Sequence, residues 1–306
     1  MTGSSIRIGI DLGGTKTEII ALDPSGMELL RRRVPTPRED YPAILATIVA
    51  LIREAEQALR SRATVGIGTP GSVSRATGLL RGSNSVCLNG QPLQHDLEAL
   101  LERRIVLTND ANCFALSEAS DGAGAAAEVV FGVILGSGVG GGIVVRGHLL
   151  DGPNGIAGEW GHNPLPWPRE DERPGPPCFC GRTGCIETFV SGRGMERDHR
   201  EQTGEALLGP EIVARAEAGD ASCEATLARY EERLGRALAH IMNVLDPDVI
   251  VLGGGMSNVM RLYRNVPPRL HPWVFSDRID TKIVPHRHGD SSGVRGAAWL
   301  GGSVET

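Results

Sequence analysis

With 306 residues, 41% of them hydrophobic and 22% charged, the chain can bury one large core or two medium ones, and two linked domains are expected. A formal net charge of −6 provides no global basic field, so nucleic acid and anionic lipid are not expected as partners. Asp11 ends the short apolar stretch over residues 6–10, no export-signal pattern follows, and no apolar run reaches membrane-spanning length; a soluble, cytoplasmic protein is expected.

Residues 7–12 read as a buried strand that runs through Gly13-Gly14-Thr15-Lys16 into a second strand ending at Leu22. Asp23-Pro24-Ser25-Gly26 is a strong turn, and a third strand follows it. Residues 39–60 have helical periodicity, and residues 64–68 form a short strand before Thr69-Pro70-Gly71. Residues 92–103 look helical; a strand over 105–107 leads to Asn109-Asp110 and a helix to about 121.

The opening pattern then recurs. A strand over 129–135 meets a glycine loop over 136–142, and a strand over 143–146 follows. This repeated order of elements suggests two similar halves, with the small-residue stretch 122–127 as a hinge. The expected domains are 1–121, completed by the terminal helix within 290–306, and 122–289. Further on, 169–184 is rich in Pro, Gly and Cys and should be irregular, and 211–245 is helical in two pieces. A strand over 249–252 precedes Gly253-Gly254-Gly255 and another helix. A last strand over 282–284 and a last helix over 292–300 close an α/β pattern.

Three loops share one logic: Gly13-Gly14, the run that opens Gly136-Ser137-Gly138, and Gly253-Gly254-Gly255 each follow an apolar strand. Glycine lets the backbone approach a ligand, and exposed N–H groups can then cradle phosphate oxygens. Thr15 and Ser137 add hydroxyls, and Lys16, one of only two lysines with Lys282, can offset phosphate charge. Each loop alone could be no more than a turn; three at strand ends point to phosphate. No G-x-x-x-x-G-K-[ST] motif is present, and Gly13-Gly14 leads into a strand rather than a helix, which argues against a dinucleotide site. Asp11 beside the first loop either caps a turn or holds Mg²⁺ through water, since a bare carboxylate would repel phosphate.

Three of six cysteines, Cys178, Cys180 and Cys185, crowd into one glycine-turned loop. They cannot pair among themselves, and in a reducing compartment the cluster suggests a metal. Zn²⁺ wants four Cys or His ligands; His162 and His199 are the nearest candidates for the fourth, with His162 favoured because Glu159 beside it looks functional. A closed set of four protein ligands would be structural. Asp110 is either an N-cap or a base. Asn84, Glu159 and Glu187 are further polar groups in glycine-flanked positions.

Asp11-Leu-Gly-Gly-Thr-Lys16, Gly158-Glu-Trp-Gly-His162 and Cys178-x-Cys180-Gly-x-x-Gly-Cys185-x-Glu187 together resemble the ROK family of bacterial sugar kinases over essentially the whole chain. Residues 158–167, 246–258 and 288–299 are most similar to bacterial fructokinases of the manno(fructo)kinase type. The resemblance implies a duplicated actin-like ATPase fold of ribonuclease H-like class, with two domains around a central cleft. It implies Asp110 as catalytic base and Asn84, Asn109, Glu159, His162 and Glu187 around the sugar. It implies ATP, with Asp11, Gly13, Gly14, Thr15, Lys16, Gly136, Ser137, Gly138, Gly254 and Gly255 about the nucleotide and its Mg²⁺. It further implies structural Zn²⁺ on His162, Cys178, Cys180 and Cys185, and a homodimer. Ser137 departs from the family's usual threonine but keeps the hydroxyl. Fructose, with mannose beside it, is the expected acceptor; glucose and N-acetylglucosamine are alternatives. A sugar-responsive repressor of the same family would need a DNA-binding segment ahead of the first strand, which begins near residue 6, and is the distant alternative.

Overall fold

The computed structural model describes residues 6–37, 39–83 and 85–302, apart from the side chain of Asp290. The chain divides into two units, one of residues 1–125, 147–157 and 287–306, the other of 126–146 and 158–286. The division differs from the expected one chiefly at 147–157, which return to the first unit. There Asp151 pairs with Arg75, and Gly155 lies against the Arg75 side chain.

In the first unit, β1 (Arg7–Leu12), β2 (Lys16–Leu22), β3 (Glu28–Pro35), β4 (Thr64–Thr69) and β5 (Val106–Asn109) form a sheet ordered β3-β2-β1-β4-β5. The hairpin strands are antiparallel, and β1, β4 and β5 run parallel. Ile8, Ile10, Leu12, Val65 and Ile67 join the core formed with α1 (Tyr41–Leu59) and α2 (Leu93–Leu101). Asp40 caps α1 by accepting from the Ala43 N–H at 3.0 Å, and Arg60 ends it in the left-handed region at φ 51°.

Between these apolar residues, Gly9 of β1 and Gly66 of β4 face the other way. A Cβ on Gly9 would lie 2.2 Å from the Val294 carbonyl oxygen, and one on Gly66 2.0 Å from that of Ala297. The C-terminal helix α7 (Ser292–Gly301) therefore seats its backbone directly on the sheet. It also meets α3 (Asp110–Ser120) backbone to backbone, where a Cβ on Gly296 would lie 1.7 Å from the Cys113 carbonyl oxygen. Buried Glu118 of α3 accepts from the Ala123 and Arg287 N–H groups at 2.9 and 3.0 Å and from the Ser292 hydroxyl at 2.8 Å, which pins the start of α7.

In the second unit, β6 (Val129–Leu135) is flanked by antiparallel β7 (Val139–Val145) and parallel β8 (Val249–Gly253), and β9 (Lys282–Pro285) lies parallel beyond β8. Both units thus open on an antiparallel hairpin around a glycine loop. Three helices, α4 (Gly192–Thr203), α5 (Gly209–Glu217) and α6 (Ala221–Leu245), contribute to the core of this unit. Helix α4 was not expected; its sequence is too polar to show a wide apolar stripe, and only Met195 and a few small or polar residues turn inward.

Two expectations change here. The strand after the second glycine loop starts at Val139, so Gly140, Gly141 and Gly142 are strand residues. At Gly141 Trp160 and Gly158 leave no room for a side chain: a Cβ there would lie 2.8 Å from the Trp160 ring and 3.0 Å from the Gly158 carbonyl oxygen. After Gly253, the chain makes a 3₁₀ turn over Gly255–Asn258 and a short helix over Leu262–Asn265 in place of one longer helix. Among the described residues, no helix is long and apolar enough to cross a membrane.

Candidate functional site

The candidate residues of the first unit gather where the parallel strands end. Asp11 is paired in register with Gly68, and Thr69 with Asn109, so Asp11 and Asp110 belong to the same carboxyl-terminal edge of the sheet. Asn109, not Asp110, is the N-cap of α3: its side-chain oxygen accepts from the Asn112 N–H at 2.8 Å. Asp110 is thereby left with one oxygen held by the Ala111 N–H at 2.8 Å and a side chain that water reaches. Protein crowded about the strand end thins its hydration and pushes its carboxyl above the ordinary range, against the Ala111 hydrogen bond.

Asp11 is pushed up to about 6, first by burial, then by the nearby Asp110 and Glu18 carboxylates, with Lys16 and Arg33 pulling the other way. Glu18, directly opposite Asp11 in the β1–β2 register, is buried and holds Arg31 at 2.5 Å and Arg33 at 2.6 Å. Sequence reasoning passed over Glu18; its signal was a carboxylate leading directly into the apolar run Ile19-Ile20-Ala21-Leu22. A carboxylate crowded by two others, beside a glycine loop, is an arrangement that a divalent cation relieves. Asn84 lies outside the described residues.

In the second unit, the loop Gly136-Ser137-Gly138 closes on itself through Gly136 N–H to the Gly138 carbonyl at 3.0 Å. Glu187 reaches it: its carboxylate accepts from the Val139 N–H at 3.0 Å, and a Cβ on Gly138 would stand 2.5 Å from that carboxylate. Gly254, at φ 78°, lies against the end of β6, where a Cβ would be 2.6 Å from the Leu135 carbonyl oxygen, whereas Gly255 faces open space. Glu159 is exposed, at the start of a 3₁₀ turn over Trp160–His162 that Trp160 anchors by donating to the Gly140 carbonyl at 3.0 Å.

That turn delivers His162 to the cysteines. The ligand atoms of His162, Cys178, Cys180 and Cys185 all lie within 4.8 Å of one another. Cys178 Sγ is 3.5 Å from His162 Nδ1, and Cys180 Sγ is 3.7 Å from Cys185 Sγ. A tetrahedron with Zn–S bonds of about 2.3 Å sets its sulfurs about 3.8 Å apart, so spacing and donor chemistry both fit zinc. Gly181 and Gly184, at φ 86° and 71°, make the reversals the loop needs. Burial pushes the Cys178 thiol up and the Cys185 thiol up to about 12, while the Arg182 backbone N–H draws Cys180 down. His199 is excluded from the set: it is buried on α4 with Nδ1 2.9 Å from the Thr226 hydroxyl. Cys113 and Cys223 are buried, and Cys87 is half-buried.

The model of the ROK family matches residues 7–303. An N-acetyl-D-glucosamine kinase of Yersinia enterocolitica is 40% identical over 296 residues, covering 95% of this chain and 98% of that one. One of Photobacterium profundum is 42% identical with the same coverage. Among solved structures, the ROK hexokinase of Thermus thermophilus superposes with a TM-score of 0.87 at 29% identity, over 96% of this chain and 97% of that one. The ROK family glucokinase of Streptomyces griseus, in complex with glucose and AMPPNP, superposes with a TM-score of 0.75 at 27% identity, over 96% and 98%.

Proposed function

Because the chain belongs to the ROK family, whose two-domain α/β fold it shares, we propose that this sugar kinase transfers the γ-phosphoryl group of ATP to N-acetylglucosamine. The observation that carries the acceptor is the naming of its curated relatives, N-acetyl-D-glucosamine kinases 40% and 42% identical over nearly the full length of both partners. The local motifs resemble fructokinases, but those around Glu159 and His162 serve several hexoses, so identity along the whole chain is the better guide. The alternative acceptor therefore replaces fructose in this reading.

Asp110 is the base: water-reachable, unburdened by capping and raised toward working pH, it takes the proton of the attacking hydroxyl. A new O–P bond forms at the γ-phosphorus as its bond to the ADP oxygen breaks. Backbone N–H groups of the first and second glycine loops, with Thr15, Lys16 and Ser137, take up charge on the phosphate oxygens; the Gly254-Gly255 turn borders the nucleotide. Asp11 is the residue that would hold Mg²⁺ through water, and the ion would supply positive charge to offset that of the phosphates. Asn84, Asn109, Glu159, His162 and Glu187 contact the sugar, with His162 Nε2 free for a hydroxyl because Nδ1 faces Cys178. Zinc would lock the loop that carries Glu187, and with it the second phosphate loop.

The test is ADP release from Mg-ATP in the presence of N-acetylglucosamine, glucose, mannose or fructose. Stimulation by N-acetylglucosamine with the highest kcat/KM is expected. A higher kcat/KM for fructose or mannose would return the motif-based reading, and for glucose that of the glucokinase neighbour. No stimulation by any sugar would sink the kinase assignment in favour of a binding or regulatory role.

A further inference from the structure

We infer that Thr36 is a positioning residue that holds the first phosphate loop with its N–H groups turned outward; this deepens the kinase reading above and rests on it.

Thr36 stands one residue past the end of β3, buried beside the loop. It binds the loop twice. Its hydroxyl donates to the Gly13 carbonyl at 2.8 Å, and its own N–H donates to the Thr15 carbonyl at 3.1 Å. A hydroxyl has one hydrogen, and Thr36 spends it on Gly13. The 2.8 Å contact between the Thr36 and Thr17 hydroxyls is therefore donated by Thr17, itself buried in β2. The result is a relay from Thr17 through Thr36 to the loop.

The consequence is a matter of peptide geometry. In a trans peptide the carbonyl oxygen and the following N–H point to opposite sides. Pinning the Gly13 carbonyl inward turns the Gly14 N–H outward. The Lys16 carbonyl is engaged as well, by the Gly13 N–H at 3.0 Å. The carbonyls of Gly13, Thr15 and Lys16, which would repel a phosphate, are thus all occupied. The N–H groups of Gly14 and Thr15 have no acceptor among the described residues. A concave run of unoccupied N–H groups is an anion site.

The second unit reaches the same end by different means. There the Gly136 carbonyl accepts from the Gly192 backbone N–H at 2.8 Å, which turns the Ser137 N–H outward. In that loop the clamp is backbone to backbone, and no side-chain truncation removes it. In the first it is a side chain, and truncation does remove it.

The test is calorimetric titration of Mg-ADP into the wild-type protein, Thr36→Val and Thr36→Ser, with melting temperatures recorded alongside. Valine keeps the shape and removes the hydroxyl, leaving the Gly13 carbonyl unpaired. Mg-ADP affinity and the KM for ATP should weaken roughly 10-fold, while the KM for sugar stays within about twofold. Serine should restore nucleotide affinity to within about threefold of wild type. Wild-type affinity in Thr36→Val, or equal weakening in both variants, would overturn the role of the hydroxyl. Should Thr36→Val not fold, Thr17→Val reads the relay from its other end; a weakening of roughly threefold is expected, and wild-type affinity overturns the proposal. Failure of the wild-type protein to bind Mg-ADP would instead overturn the kinase reading beneath it.

Discussion

Asp110 and Asp11 lie at one strand edge and are set apart by surroundings. Asp110 is raised by crowding yet reached by water, and Asp11 is raised by burial and by two neighbouring carboxylates. Asp110→Asn is expected to lower kcat by about 10²–10⁴ while sugar binding persists. Because the base works ionised, kcat/KM of the wild type should fall on the acid side, with its limb above the ordinary aspartate range. A pH–rate profile of the two proteins checks both statements: near-normal turnover in the variant, or an unchanged limb, would remove Asp110 as base.

The sign for Asp11 follows from its raised pKa of about 6 against 3.8 in an ordinary carboxyl. The folded protein binds this proton more tightly, so the stabilising contribution is fully present below about pH 4 and is lost as pH rises through about 6. Above that, the ionised carboxylate leaves the fold less stable by about 3 kcal/mol than it is below pH 4. Asp11→Asn should therefore be more stable than wild type near pH 8, and the gap should close near pH 4. Urea unfolding at the two pH values measures it, and a gap that is constant or reversed refutes the assignment. The same variant should lose activity, since the carboxylate is what the cation needs.

At the scale of elements, the packing of α7 on the first sheet is what holds these two residues in place. Asp110 begins α3, which crosses α7 at Gly296, and Asp11 Oδ2 lies where a Cβ on Gly293 would be 3.5 Å away. The signal in the sequence was alternation: Ile8-Gly9-Ile10 and Val65-Gly66-Ile67 put branched residues on one face and glycines on the other. A strand that spends every second residue on glycine does so where another backbone comes close. Gly66→Ala would place a methyl 2.0 Å from the Ala297 carbonyl. We expect it to cost about 3 kcal/mol or to prevent folding. Thermal unfolding decides this, and a melting temperature at the wild-type value would mean that α7 can move away at little cost. The opposite misreading occurred in the second hairpin, where a run of glycines suggested loop but belonged to a strand. Glycine reports close approach as well as turning, and composition alone does not say which.

For the whole molecule, what the sequence determined is what short stretches determine. The order of strands and helices follows from local periodicity, and the two opening hairpins recur in each unit. The zinc-type spacing is carried within one loop, so three of the four residues that could hold a metal were legible from chain distance alone. The choice between His162 and His199 was not: it took the 3₁₀ turn that brings one ring to Cys178 and the helix that buries the other. Tertiary structure also decided that Asn109 caps α3 and leaves Asp110 open, that residues 147–157 return to the first unit, and that Thr36 reaches back to Gly13. The physical reason is common to all of these. Backbone preference and side-chain periodicity act over a few residues and are written in the chain. A contact between distant residues exists only when the packing of whole elements makes it cheaper than solvent, and that balance belongs to the fold.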